Sequence, residues 1–275
     1  MSVEVQQDQT RVWKAGSLKG MDVLRARFTH ESFSPHVHSG FGICLVERGG
    51  HGFRCKGENW VGDPGSIVLI NADQVHTGHN ASDQPWAYHA MYPEIDLIEW
   101  ALPHHQGLPW FTEPVVNNEQ SRALLAQLFQ ALTDDSVTLA TETLFINTLN
   151  HLVKAHGGQP FDAQLGREQK PIDRIKSVIQ DRLFEDISID ELAAEVGWSP
   201  TYLVRAFKRE TGLPPHAFLV QKRVDAARHL LIRGVPVAEA AVATGFNDQS
   251  HLHRHFKKAL GITPGAYRAA ALGYN

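Results

Sequence analysis

Two stretches in the last third of the chain spell the same pattern, and this repeat constrains the fold more than any other feature. When residues 188–197 are set beside 236–245, Glu191 aligns with Glu239, Ala193 with Ala241, Gly197 with Gly245 and Trp198 with Phe246. After one inserted residue the register resumes. Leu203 then aligns with Leu252, Arg205 with Arg254, Phe207-Lys208 with Phe256-Lys257, Gly212 with Gly261, Pro215 with Pro264 and Phe218 with Tyr267. A stacked solenoid needs about three repeats or more. Two copies therefore read as one supersecondary unit used twice.

The unit is helix, tight turn, helix. Ser188 and Glu191 form a capping-box pattern, in which hydroxyl and carboxylate satisfy the free N–H groups of a helix start. Leu192, Ala193 and Val196 supply the apolar face. Gly197 falls where the chain must turn at positive φ, which glycine adopts without a Cβ clash. Ser199-Pro200 then opens a second helix as N-cap and first helical residue. Its Leu203, Ala206 and Phe207 face inward, which leaves Thr201, Val204, Arg205, Lys208 and Arg209 outward. In the second copy, Asn247 is expected to cap a helix exposing Gln249, Ser250, His253, Arg254 and Lys257. Residues 216–233 read as one long helix joining the copies.

A helix-turn-helix places its second helix in the major groove. There Arg pairs with guanine and Gln with adenine, while Lys and further Arg residues neutralise phosphates. Residues 170–275 carry a net +4 and the rest of the chain −8, so the two parts are suited to different partners.

The segment 188–268 resembles the DNA-binding domain of the AraC/XylS family of transcription regulators. Gly245-Phe246, Gln249-Ser250-His251-Leu252, Arg254, Phe256-Lys257, Gly261, Thr263-Pro264 and Tyr267-Arg268 carry the resemblance. It implies two recognition helices in successive major grooves, about one duplex turn (~34 Å) apart. By motif position, the first reads DNA through Thr201, Val204 and Arg205, and the second through Gln249, Ser250, His251 and Arg254. Lys208, Arg209 and Lys257 are the expected phosphate contacts. Val204 departs from the polar residue common at its position.

From about residue 23 to 92 the pattern is all-β, with runs at 23–29, 42–47, 52–56, 66–70 and 87–92 broken by Gly, Pro and Asn-Ala-Asp turns. Ser34-Pro35-His36-Val37-His38 is expected to open a strand, and Gly62-Asp63-Pro64-Gly65 precedes an apolar run that leads to His76. These landmarks resemble the cupin-like sensor domain found ahead of AraC-type DNA-binding domains, which would bring His76 near the other two imidazoles. Such a trio suits Zn, Fe, Ni or Cu. Yet no acid follows the His-x-His until Glu47, so a divalent metal lacks its usual fourth ligand. Lining of an effector pocket and plain structural hydrogen bonding are the other readings. The candidate effector-site residues are His36, His38, Glu47, His76 and Tyr88, with no catalytic residue and no required cofactor.

Residues 117–156 switch to helical period. Leu124, Leu125, Leu128, Phe129 and Leu132 form one stripe, and Leu139, Leu144, Ile146, Leu149, Leu152 and Val153 form another. These helices either mediate a homodimer or pack on their own barrel. Gly157-Gly158-Gln159-Pro160 and the polar run to Lys170 read as a linker.

The expected fold is therefore α+β and multidomain. A cupin-like sensor spans 1–110, a helical dimerisation segment and linker 111–169, and an all-α DNA-binding domain 170–275, with its motifs at 188–209 and 236–258. The two cysteines, Cys44 and Cys55, are too few for a disulfide framework. The N-terminus lacks a signal-peptide pattern, and no apolar run reaches the ~18–20 residues of a membrane span. The expectation is a cytoplasmic regulator, an activator by family habit, that binds an operator in double-stranded DNA and a small-molecule effector. A metal-binding cupin enzyme fused to a DNA-binding module, and a regulator whose barrel only dimerises, are the alternatives.

Overall fold

The computed structural model describes residues 9–15, 18–133, 139–158 and 169–273. The expectation of no signal peptide therefore falls mostly outside the described residues, and so does most of the expected linker. Ten strands and ten helices are described: β1 Gln9–Lys14, β2 Met21–Phe28, β3 Ser32–His36, β4 Gly42–Arg48, β5 His51–Cys55, β6 Glu58–Gly62, β7 Ile67–Ile70, β8 His76–Asn80, β9 Trp86–Pro93, α1 Ile95–Ala101, β10 Val115–Val116, α2 Glu119–Thr133, α3 Leu139–His156, α4 Gln169–Asp181, α5 Ile189–Val196, α6 Pro200–Thr211, α7 Pro215–Leu231, α8 Val237–Ala243, α9 Gln249–Leu260 and α10 Pro264–Ala271.

The strands form two antiparallel sheets. One has six strands in the order β1-β2-β9-β4-β7-β10, and the other has four in the order β3-β8-β5-β6. Alternation along each strand decides which layer a residue enters. Cys44 and Val46 of β4 join Phe28, Phe53, Val68, Trp86 and Tyr88 between the sheets. Ile43 and Leu45 point to the other side of the six-stranded sheet, with Val23, Ile67, Leu69 and Met91. That outer face is covered by Leu125, Leu128, Phe129 and Leu132 of α2 and by Phe145, Leu149 and Leu152 of α3. Of the stripe expected on α3, Leu149 and Leu152 are buried, Leu144, Ile146 and Val153 are partly covered, and Leu139 is 78% exposed. Both cysteines are free and buried.

Several sequence expectations need correction. The His-x-His segment closes a strand rather than opening one, because β3 ends at His36 and His38 lies in the following loop. Strands β1, β6, β8 and β10 were not anticipated, and β10 carries the six-stranded sheet past residue 110. Polar or mixed sequences such as Glu58–Gly62 show little apolar alternation, yet pairing against β5 through the tight Lys56-Gly57 turn forms the strand. Lys56 and Gly57 both have positive φ, at 52° and 84°, as a two-residue hairpin turn requires. Gly157 donates to the carbonyl of Val153 in α3 and Gly158 to that of Trp110, and helix α4 starts at Gln169, where linker was expected.

The helical part has two cores joined by α7. Ile172, Ile175 and Ile179 of α4 pack with Leu192, Leu203 and Phe207 of the first unit and with Phe218 and Leu219 at the start of α7. Val224, Ala227 and Leu231, further along α7, pack with Ala240, Ala241, Leu252 and Phe256 of the second unit. Arg223 ties the two halves together. Its guanidinium donates to the carbonyls of Leu183 and Glu185 on one side, at 2.8 and 2.7 Å, and of Gly245 on the other, at 2.9 Å. Among the described residues no helix is long and apolar enough to cross a membrane.

Candidate DNA-reading face and barrel site

The first helix-turn-helix is built as its sequence predicts. Ser188 accepts from the backbone N–H of Glu191 while the Glu191 carboxylate accepts from that of Ser188, completing the capping box. Those hydrogen bonds and Arg182 hold the Glu191 carboxyl below the usual carboxylate range. Gly197 ends α5 in the left-handed region at φ 68°. Ser199 then caps α6, with Pro200 at its first position.

In the second unit the cap is Asp248, which accepts from the backbone N–H of His251 at 2.7 Å, and not Asn247. A carboxylate at a helix N-terminus satisfies the free N–H groups and also favours the positive end of the helix dipole. Gly245 makes the turn at φ 76°, and Arg223 lies so near that an added Cβ would meet its guanidinium carbon at 2.9 Å. Only glycine suits both demands.

Thr201, Arg205, Lys208 and Arg209 of α6 are exposed, and Val204 is half-buried. On α9, Gln249, Ser250, Arg254 and Lys257 are exposed, as is His253. His251 is half-buried, with its ring against Phe246 and His255 at 5.3 and 4.9 Å. A shallow concavity of about 470 Å³ is bounded by Asp248, Gln249, Ser250, His253 and Arg254. Donor-rich, unobstructed helix faces of this kind can reach base edges and phosphates.

In the barrel, His36, His38 and His76 meet. Their ring centroids are 4.2 Å apart for His36 and His76, 5.0 Å for His36 and His38, and 5.2 Å for His38 and His76. The Nδ1 atoms of His36 and His76 lie 2.8 and 2.9 Å from the carbonyls of Ser34 and Gln74, which accept from them. Burial and the neighbouring imidazoles push His36 down to about 3 and hold His76 well below its ordinary value. Burial also takes His38 down to about 4, against the pull of Asp225. Tyr88 lies deeper in the barrel, stacked on the buried His51 at 5.2 Å.

Glu47 is not brought to this cluster. It faces the α2–α3 side of the sheet, where it pairs with His89 at 3.2 Å and Arg25 at 3.5 Å. Strand alternation explains this, since Glu47 follows Ile43 and Leu45 onto the outer face.

The acid beside the imidazoles comes instead from the helical part. Asp225 of α7 lies 3.7 Å from His38 Nδ1 and accepts from the Ser39 backbone N–H at 2.8 Å. Arg228, one turn on, donates to Asp225 at 3.0 Å and to Asp22 of β2. Lys222, one turn back, reaches Asp73 at 2.7 Å and Ser39 at 3.1 Å, while His229 pairs with Glu94 at 3.2 Å. Burial works against each charge. Even so, Arg228 and the two histidines hold Asp225 well below the usual carboxylate range, and Asp225 with Asp22 holds Arg228 above its ordinary value. None of these α7 residues stood out in the sequence. The available signal was Lys222, Asp225 and Arg228 or His229 recurring three to four residues apart, on one face of the helix.

A cavity of about 40 Å³ opens at this junction, lined from the barrel by His36, His38, Tyr88 and Tyr92 and from the helical part by Arg228, Leu260 and Tyr267.

Comparison with known proteins matches both parts. The model of the AraC-like ligand binding domain matches residues 18–149, and that of a helix-turn-helix domain matches residues 192–270. The uncharacterized HTH-type transcriptional regulator YbfI of Bacillus subtilis is 27% identical over 252 residues, covering 90% of each chain. The HTH-type transcriptional activator RhaS of Shigella sonnei is 24% identical over 264 residues, covering 91% of this chain and 93% of the other. The crystal structure of ToxT from Vibrio cholerae shares the fold at a TM-score of 0.63 and 13% identity, covering 97% of this chain and 98% of that one.

Proposed function

As the chain belongs to the AraC family of transcription regulators, we propose that it reads DNA with α6 and α9 and that a small effector in the barrel sets how it does so. One observation carries the coupling. The barrel cavity is walled in part by α7, α9 and α10, so any occupant touches both the sensor and the DNA-binding domain. A ligand shifts an equilibrium only through different contacts in the two states, and a shared wall supplies such a difference.

In this reading Arg205 and Arg254 contact bases, together with Thr201, Val204, Gln249, Ser250 and His251. Lys208, Arg209 and Lys257 contact phosphates. The packing of His251 on Phe246 and His255 supports a lesser share of base contact for it than for Gln249 or Arg254. Residues 170–275 act as the DNA-binding domain behind a sensor formed by the barrel and its two covering helices. The relatives named as transcriptional activators support activation as the sense of control. The reading includes no turnover, because Glu47, the first acid after the His-x-His, points away from the imidazoles. Association into a homodimer in the cytoplasm completes it, and sedimentation of the purified chain tests the dimer.

The experiment is selection of binding sites from random duplexes, followed by thermal-shift screening of sugars, amino acids, aromatic acids and metal ions. A compound that raises the melting temperature and changes operator affinity supports the proposal. A chain that selects no sequence at low salt sinks it.

A further inference from the structure

We propose that His36, His38 and His76 form a binding site for a first-row divalent transition-metal ion, and that Asp225 of α7 makes its occupancy a latch between the sensor and the DNA-binding domain. One ring nitrogen from each of the three lies within 4.8 Å of the others. A carbonyl oxygen can only accept, so the contacts to Ser34 and Gln74 fix the proton of His36 and His76 on Nδ1. Their Nε2 lone pairs are thereby left for a ligand. Metal-bound histidines are held in this way, with the far N–H on a carbonyl or carboxylate that sets tautomer and orientation. For His38 the group on the Nδ1 side is the Asp225 carboxylate at 3.7 Å. Zinc–imidazole bonds of ~2.0–2.1 Å at tetrahedral angles put the nitrogens about 3.3 Å apart, so the rings must close by about 1.5 Å at most.

Charge and size agree with a cation. Beside the imidazoles, the buried carboxylates Asp22 and Asp225 share one arginine, Arg228, with His229 3.8 and 3.7 Å from them. The adjoining cavity of about 40 Å³ accepts an ion with a water or two. Organic ligands use pockets of about 300–1,000 Å³. The fourth ligand is thus left to water, and the Asp225 carboxylate acts from the other domain as a positioning residue.

A bound cation makes the His38 ring more positive and strengthens its attraction to the Asp225 carboxylate 3.7 Å away, so occupancy favours the docked arrangement. By linkage, docking favours occupancy equally. This coupling rests on the regulator reading, whereas metal binding does not.

The test uses the full chain, stripped with chelator and titrated with Zn²⁺ by calorimetry and with Co²⁺ by visible absorption. One equivalent of metal is expected, with ligand-field bands for Co²⁺, and His76→Ala should lose that equivalent. Asp225→Asn should retain the site with affinity lower by about 10–100-fold. Absence of a one-equivalent site in the wild-type chain overturns the proposal, and unchanged Zn²⁺ affinity in Asp225→Asn overturns the latch. Should Asp225→Asn fail to fold, operator affinity of the wild-type chain with and without Zn²⁺ decides the latch. A change of about tenfold supports it, and none refutes it. Metal uptake without sequence-selective DNA binding would refute the regulator reading alone.

Discussion

Replacing Arg228 with Met removes a cation whose side chain is 4% exposed and leaves the carboxylates of Asp22 and Asp225, at 7% and 2%, facing each other across the domain boundary. At an effective dielectric of about 20 and a charge separation of about 4 Å, each carboxylate attracts the guanidinium by about 4 kcal/mol. Both attractions vanish in Arg228→Met, along with the desolvation cost of the guanidinium, which is several kcal/mol. Breaking a buried pair in this way costs about 3–5 kcal/mol net. Asp225 keeps the Ser39 N–H, and Asp22 keeps His229 nearby, which favours the lower end. About 3 kcal/mol corresponds to a melting temperature lower by about 6–12 °C in a chain of this size. Urea unfolding of the full chain followed by circular dichroism measures the loss, and a cycle with Asp22→Asn isolates the pair across the boundary. A loss under about 1 kcal/mol, or no coupling in the cycle, would refute the view that this clasp docks the domains.

Arg205→Ala and Arg254→Ala should each weaken operator binding by about 1–3 kcal/mol, measured by anisotropy on operator and random duplexes; equal loss on both would make that arginine a phosphate contact. A fragment of residues 170–275 should fold alone, because its two cores are built mostly from its own helices, and it should bind DNA with steep salt dependence. An unfolded fragment by circular dichroism would contradict the domain division. Burial raises the thiols of Cys44 and Cys55 to about 12 and about 11. At pH 8 Cys44 then holds about a thousandfold less thiolate than an ordinary cysteine, so iodoacetamide should leave it unmodified until the chain unfolds, and rapid native labelling would reopen a redox role.

The helical part was largely legible in the sequence because its signals are local. Ser188 with Glu191, Ser199 with Pro200, and Gly197 with Gly245 each specify a cap or turn within a few residues. Where two candidates stood side by side, as at Asn247 and Asp248, only the backbone geometry chose between them. The barrel was less legible. Strands such as β8, His76–Asn80, acquire their conformation from partners β3 and β5 and carry little apolar alternation of their own. The His36, His38 and His76 trio emerged from its motifs, whereas Glu47 was misplaced because a nearby acid in sequence falls on the opposite sheet face. The decisive omission was Asp225. It lies 187 residues from His38 in the chain, and no local pattern links a residue on a connecting helix to a loop of the barrel.

Two units held by one helix, each exposing a basic second helix, should engage one face of a duplex. Hydroxyl-radical and methylation footprinting on a selected operator tests this most directly. Two protected major-groove segments about 10–10.5 base pairs apart are expected, with Arg205→Ala losing protection in one segment and Arg254→Ala in the other. A single protected segment, or two that respond alike to either substitution, would contradict the reading of DNA by α6 and α9.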